Sequence, residues 1–318
     1  MRLISPKETF LAGERTNRQA PPHAPVSRHP AAVSELAVVI VTYNNAAIID
    51  DCLGSLTTAA AGIATEIVVV DNASADATVR IVRERYPGVA VIANTRNVGF
   101  ATAVNQGLRA TTAPAFVLLN SDVIVNPEAV HGLAEACRRQ GDRRLFSPRI
   151  VNRDGSLQET SFGCFPTCGV LAAEFLLPYA AARRLQLTTM FGNRGPGGAL
   201  RYDWLSGACL ALTRTALERI GLFDERFFMY FEDIDFCLRA TRQGIVPHLL
   251  EDISVLHIGG QSFSYDMGSY DRTSYVNKSL LAYVAKHESR CGRTVLRALH
   301  ALGGMLRRLR ALASPSRP

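Results

Sequence analysis

Residues 36–43 read LAVVIVTY, an unbroken apolar run rich in β-branched side chains. A strand with one wet face alternates polar and apolar residues. A run without alternation marks a strand covered on both faces, as in a parallel sheet with helices on each side. The same pattern recurs downstream. A helix-like stretch through 47–60 leads to EIVVV (66–70), which Asp71-Asn72-Ala73-Ser74 interrupts. Asp76 is placed to cap a helix running to about Tyr86, ahead of Pro87-Gly88. Residues 89–93 give a third strand, 100–110 a helix, and 115–119 (AFVLL) a fourth strand. Strands and helices alternating at this spacing imply βαβ units with right-handed crossovers. The expected fold class is therefore α/β, a mostly parallel central sheet flanked by helices.

In such sheets a ligand sits beyond the carboxyl ends of the strands. The residues there are Thr42-Tyr43-Asn44-Asn45, Asp71-Asn72, 94–97 and Asn120-Ser121-Asp122, all four sets polar and two carrying an acid. The second half is less regular. Residues 146–151 and 157–160 suggest short strands around the turn Arg153-Asp154-Gly155, and 166–182 an apolar helix. Residues 204–213 (WLSGACLALT) suggest a strand kinked at Ser206-Gly207. A helix over 231–243 would bury Phe231, Ile234, Leu238 and Thr241, and 253–257 forms a last strand before a loop at 258–263.

At 318 residues, 47% hydrophobic, the chain can bury the core of one large α/β domain or two small ones. Seven scattered cysteines with no metal-binding spacing read as free thiols in a reducing cytosol. Residues 1–34 hold five basic residues, several prolines and no apolar run, which suggests a disordered leader rather than a signal peptide. No stretch is long and apolar enough to predict a transmembrane segment. The net charge of +7 is concentrated at the ends, with seven arginines and no acid after Glu288, so the body between is mildly acidic. That distribution argues against a nucleic-acid partner. Leu299, Leu302, Leu306 and Leu309 recur at helical spacing among arginines 297, 307, 308 and 310. Such a helix either lies on an anionic membrane surface or packs on its own domain with a solvated basic face.

Three clusters carry candidate chemistry. Asn120-Ser121-Asp122 presents one carboxylate past a central strand, either for a divalent cation shared with a diphosphate or simply in a turn before Asn126-Pro127. Glu232-Asp233-Ile234-Asp235 opens a helix with three acids, whose mutual repulsion raises at least one pKa. Asp233 and Asp235 flank the apolar stripe, so one of them either reaches a cleft as a general base or only caps the helix. His257, before Ile258-Gly259-Gly260, is either a metal ligand or a structural histidine. GxGxxG, GxxxxGK[ST] and GxSxG are all missing, which argues against a dinucleotide dehydrogenase, a P-loop NTPase and an α/β-hydrolase.

Taken together, VVIVTYNN (38–45), EIVVVDNASAD (66–76), NTRNVGFATAVNQG (94–107), FVLLNSD (116–122), WLSGACLALTR (204–214), FDERFFMYFEDIDFCLRATRQG (223–244) and VLHIGG (255–260) resemble glycosyltransferase family 2. These are inverting enzymes of the GT-A fold, and the pattern is most similar to the bacterial rhamnosyltransferase-like branch. The resemblance implies a GT-A catalytic domain over 35–265, with a nucleotide-binding half (35–125) and an acceptor-binding half (126–265). Residues 266–318 then form C-terminal helices ending in the basic tail.

The resemblance also implies roles. Thr42, Tyr43, Asn45, Asp71, Asn97, Gly99 and Asn105 match nucleotide-binding positions. Asp122 takes the metal position of a DXD-like element whose first acid is here Asn120, and His257 completes the site for Mg²⁺ or Mn²⁺. Asp233 matches the catalytic base; Trp204, Ser206, Gly207 and Glu232 fall on the acceptor side. The implied reaction is a single in-line displacement moving a sugar, with L-rhamnose from dTDP-rhamnose favoured, onto a lipid-linked or polysaccharide acceptor in cell-envelope glycan synthesis. Galactofuranose, mannose or N-acetylglucosamine would keep the same fold. A sugar-nucleotide nucleotidylyltransferase would need a glycine-rich basic loop, which 42–47 lacks, and a non-catalytic binding protein would be expected to lack an acid at 122 or 233. The expected location is the cytoplasm, peripherally on the inner face of the cytoplasmic membrane, with a homodimer left open.

Overall fold

The structure, a computed structural model, describes residues 34–167, 169–172, 190–192, 198–258 and 272–313. The expected leader lies outside these residues. So do most of the expected helix over 166–182, of which 169–172 are helical, and residues 259–263 of the loop after His257.

The first half follows the expected alternation: β1 (Leu36–Thr42), α1 (Ile49–Ala59), β2 (Thr65–Asp71), α2 (Thr78–Arg85), β3 (Ala90–Ala93), α3 (Phe100–Ala110) and β4 (Ala115–Asn120). Asp76 stands one residue ahead of the cap position, which is Ala77, yet its carboxylate still accepts from Thr78 N–H at 3.0 Å and Ala46 N–H at 2.9 Å. After β5 (Val123–Ile124) comes α4 (Pro127–Gln140). Asn126-Pro127 starts this helix. Asn126 Oδ1 accepts from Ala129 N–H at 2.8 Å, and Pro127 supplies a preset φ where no N–H is needed.

Next come β6 (Arg144–Val151), β7 (Phe162–Gly163), β8 (Trp204–Leu205), β9 (Cys209–Thr213) and α5 (Arg214–Ile220). In place of a strand at 157–160 there is a bridge from Leu157 to Val151 and a 3-10 turn over Glu159–Ser161. The chain continues through α6 (Glu232–Arg242), β10 (Val246–His257), α7 (Arg272–His287) and α8 (Arg290–Ala313). β10 is longer than expected because its register shifts between Leu250 and Ser254, which breaks the apolar pattern into two pieces.

Eight strands form one sheet in the order β3-β2-β1-β4-β9-β6-β10-β5, and β7-β8 a small second one. β3, β2, β1 and β4 are mutually parallel, while β9 runs against both β4 and β6. β1 explains its own composition: Leu36, Val38 and Ile40 face a core with α1 and α4, and Ala37 and Val39 face one with α3. Full burial of each of the Leu, Val and Ile side chains contributes roughly 1.5–3 kcal/mol relative to exposure. From β1 the chain moves outward through β2 and β3, then returns to β4 on β1's other side. That reversal opens a crevice at the carboxyl ends of β1 and β4.

α6 buries Phe236, Cys237 and Ala240 beside Ile234. Thr241, expected inside, is exposed and Leu238 only half-buried, because the face of α6 turned to the core is the one centred on Phe236, Cys237 and Ala240 rather than the one along 231, 234, 238 and 241. The expected apolar stripe on the tail also divides. On α8, Leu296 is buried and Leu299 packs toward α7, while Leu302 faces out. The side chains of Leu306 and Leu309 are outside the described residues.

Candidate active site

A cavity of about 490 Å³ lies at that crevice, lined by the ends of β1 and β4, the Ser206–Ala208 kink, the segment 228–231 and the start of α6. Thr42 and Tyr43 form part of the β1 wall, and the Thr42 hydroxyl is buried without a hydrogen-bond partner. Asn97, Asp122, His257, Trp204, Ser206, Gly207, Glu232 and Asp233 also reach the cavity.

Four expected nucleotide-face residues instead stand behind its wall. Asn45 is buried and donates from its side-chain amide to Ser121 Oγ. Asp71 accepts from Ser74 N–H at 2.9 Å and from Ser74 Oγ–H, closing the loop after β2. Gly99, with φ +86°, opens α3. Asn105 donates to Phe223 O and Glu225 Oε1, both at 2.9 Å, and accepts from Phe223 N–H at 2.9 Å. It thereby ties α3 to the loop that leads into 228–231.

Asp122 and His257 meet because β5 pairs antiparallel with β10, placing Val123 opposite His257, and Ile258 N–H donates to Asp122 O at 2.9 Å. Asp122 Oδ1 and His257 Nε2 are 3.1 Å apart, with side chains 7% and 17% exposed. On the far side of the ring, Nδ1 lies 2.8 Å from Gln158 Oε1. Among the described residues no group of three or more His, Cys, Asp or Glu gathers for a metal ion. The donor set is therefore one carboxylate and one imidazole, half of what a six-coordinate cation needs or less. That fits an ion whose remaining positions are filled by phosphate oxygens and water.

Across the cavity, Tyr230 and Phe231 both adopt left-handed backbone, φ +67° and +68°. Each such non-glycine residue costs on the order of 1–3 kcal/mol, held by its surroundings. Here Phe231 is buried against Tyr283 of α7, Ser279 Oγ–H donates to Met229 O at 2.7 Å, and Phe100 N–H donates to Phe228 O at 2.7 Å. The two residues turn the chain so that Glu232 and Asp233 begin α6 facing the cavity. Asp233 accepts from Gly207 N–H at 3.2 Å and Ile234 N–H at 2.8 Å. Burial raises its pKa above 3.8, against the lowering effect of those N–H groups. Glu232 is pushed well above 4.5, first by burial and then by the charges of Asp233 and Asp235, and its Oε2 has no hydrogen-bond partner.

Asp235, the other candidate base, turns away. Burial alone would raise its pKa, but His287, Lys286 and Arg239 outweigh it and hold it low. His287 Nε2 lies 2.7 Å and Arg239 Nε 2.9 Å from its carboxylate. It is an anchor for α7.

A sequence model described as glycosyl transferase family 2 matches residues 37–205, more than half of the chain. The chain belongs to this family.

As a family 2 glycosyltransferase, it is 28% identical over 277 residues to an N-acetylglucosaminyl-diphospho-decaprenol L-rhamnosyltransferase of Mycobacterium tuberculosis, a match covering 82% of this chain and 88% of that one. It is 24% identical to a dTDP-rhamnosyl transferase, RfbF, of Shigella flexneri, over 72% of this chain and 71% of that one. Among solved structures, S. aureus TarS residues 1–349 in complex with UDP-GlcNAc matches with a TM-score of 0.53 at 18% identity, covering 84% of this chain and 70% of that one. The fold is GT-A, as the sequence resemblance implied.

Several cavity residues of this glycosyltransferase were not singled out from sequence: Phe191, Phe228, Tyr275 and Val276, with Gln158 behind His257. The aromatic run 227–231 was a visible signal. Tyr275 and Val276 carry none, because α7 reaches the cavity only through its docking on α6.

Proposed function

We propose that the chain moves L-rhamnose from dTDP-rhamnose onto a hydroxyl of a lipid-linked or polysaccharide acceptor, with inversion, in cell-envelope glycan synthesis. One observation carries the chemistry: a carboxylate of raised proton affinity, Asp233, and the Asp122–His257 pair line the same cavity. The names borne by the Mycobacterium and Shigella relatives support the sugar, and the first of those names supports a polyprenyl-diphosphate acceptor.

In this reading Thr42, Tyr43 and Asn97 face the nucleotide, and Asp71 fixes the loop after β2 beside it through Ser74. Asn45, Gly99 and Asn105 shape that face from behind. Asp122 and His257 hold Mg²⁺ or Mn²⁺, which supplies positive charge against a departing diphosphate. Trp204, Ser206, Gly207 and Glu232 border the acceptor. Asp233 Oδ2, oriented by Gly207 N–H, takes the proton of the acceptor hydroxyl as that oxygen attacks the anomeric carbon. One displacement with no covalent intermediate inverts the centre.

The C-terminal helix α8 supports a membrane-bound acceptor. Val295, Leu302 and Met305 are 46%, 41% and 53% exposed along one face, and the helix and tail carry arginines and no acid. In this reading the helix rests on the anionic inner face of the cytoplasmic membrane.

The test is a donor screen with Mg²⁺ or Mn²⁺, reading thermal stabilisation and slow donor hydrolysis for dTDP-rhamnose beside UDP- and GDP-sugars. Stabilisation by dTDP-rhamnose, lost in Asp122→Ala, is expected. Stabilisation by another sugar nucleotide alone would discard rhamnose and keep the mechanism.

A further inference from the structure

We propose that Gln158 is the positioning residue of the metal pair, holding His257 in the one tautomer that offers the Nε2 lone pair beside Asp122 to a divalent cation. This rests on the metal reading of Asp122 and His257 and adds a residue that none of the motifs contains.

Gln158 is itself fixed. Its N–H donates to Ile150 O at 2.9 Å, and its carbonyl accepts from Ser161 N–H at 3.0 Å and Ser161 Oγ–H at 2.6 Å. From this base its side chain reaches 99 positions along the chain to make two bonds with one residue. Gln158 Nε2 donates to His257 O at 2.8 Å, and Gln158 Oε1 faces His257 Nδ1 at 2.8 Å.

The first bond decides the second. Turning the amide over would press its oxygen against the His257 carbonyl, acceptor on acceptor, so Oε1 must be the atom facing Nδ1. An amide oxygen only accepts, so Nδ1 carries the hydrogen. A neutral imidazole has one N–H, which leaves Nε2 bare and 3.1 Å from Asp122 Oδ1. In the neutral ring two lone-pair atoms at that distance repel, and either a proton on Nε2 or a metal cation against both relieves it. The arrangement is thus prepared for a metal by a residue that never touches it, as partners on the outer nitrogen of metal-binding histidines do.

Two measurements on the full chain test this. In the metal-free protein labelled with ¹⁵N-histidine, at a pH well above the imidazole range, long-range ¹H–¹⁵N correlations report which nitrogen of each ring is protonated. His257 is assigned by its loss in His257→Gln. A ring protonated at Nδ1 alone is expected, giving way to Nε2–H in Gln158→Leu; Nε2–H in the native chain would overturn the proposal. Mn²⁺ titration followed by electron paramagnetic resonance, with dTDP or UDP present, should show affinity falling about 10–100-fold in Gln158→Leu. If His257→Ala leaves Mn²⁺ affinity unchanged, the metal reading itself fails. If His257→Ala weakens it and Gln158→Leu does not, only the role of Gln158 fails.

Discussion

Asp233 and Asp235 are two positions apart on one helix and have opposite fates. Asp235 meets Arg239, Lys286 and His287 and is held ionised; Asp233 meets only backbone N–H groups and is left more basic than an ordinary aspartate. A general base must be ionised to act, so kcat/KM should rise with pH through the pKa of Asp233. Because burial raises that pKa, the acid limb is expected above the 3.8 of a free aspartate, and a limb at or below that value would contradict the assignment. Asp233→Asn should lower kcat about 10²–10⁴-fold. Thermal stabilisation by the donor should survive the change, since the donor side of the cavity is untouched.

At the scale of elements, the site depends on how closely α3 approaches the 228–231 segment. Gly99 opens α3 at φ +86° and ψ 168°, a region open in practice only to glycine. A Cβ there would also stand 2.6 Å from Phe228 O and 2.8 Å from Phe228 Cδ2. Gly99→Ala is therefore expected to cost about 1–3 kcal/mol from backbone strain alone. Urea denaturation should show this against Gly88→Ala, where an added Cβ meets nothing within 4 Å. Equal stability of the two variants would mean that the segment yields freely. It would then not be what aims Glu232 and Asp233.

At the scale of the whole molecule, α7 and α8 lie beyond the stretch matched to the family, and they do different work. α7 completes the cavity with Tyr275 and Val276 and locks α6 through Lys286 and His287. α8 packs inward through Leu296 and leaves Val295, Leu302 and Met305 outside. Removing residues 289–318 should thus abolish flotation with vesicles containing anionic lipid and leave hydrolysis of a soluble donor unchanged. Undiminished flotation would remove the membrane role. A large loss of hydrolysis would show instead that α8 supports the fold.

The parallel core was legible in the sequence because both-face burial leaves unbroken runs such as LAVVIVT and EIVVV, and because sheet topology sends ligands to the polar strand ends. Asp122 and His257 stood out as ionisable groups at the ends of apolar strands, and Asp233 as one of three acids opening a helix, chosen over Asp235 by the family resemblance. α4 was missed although Asn126 and Pro127 announce it, since Asn-Pro serves a turn equally well. What only the tertiary structure decided depends on contacts between distant segments. These are the reach of Gln158 to His257, the diversion of Asp235 to α7, and the withdrawal of Asn45 and Asn105 behind the wall. Local pattern determines which face of an element is apolar. It carries no information on which neighbour meets a polar side chain, and that meeting gives Asp233 and Asp235 their opposite environments.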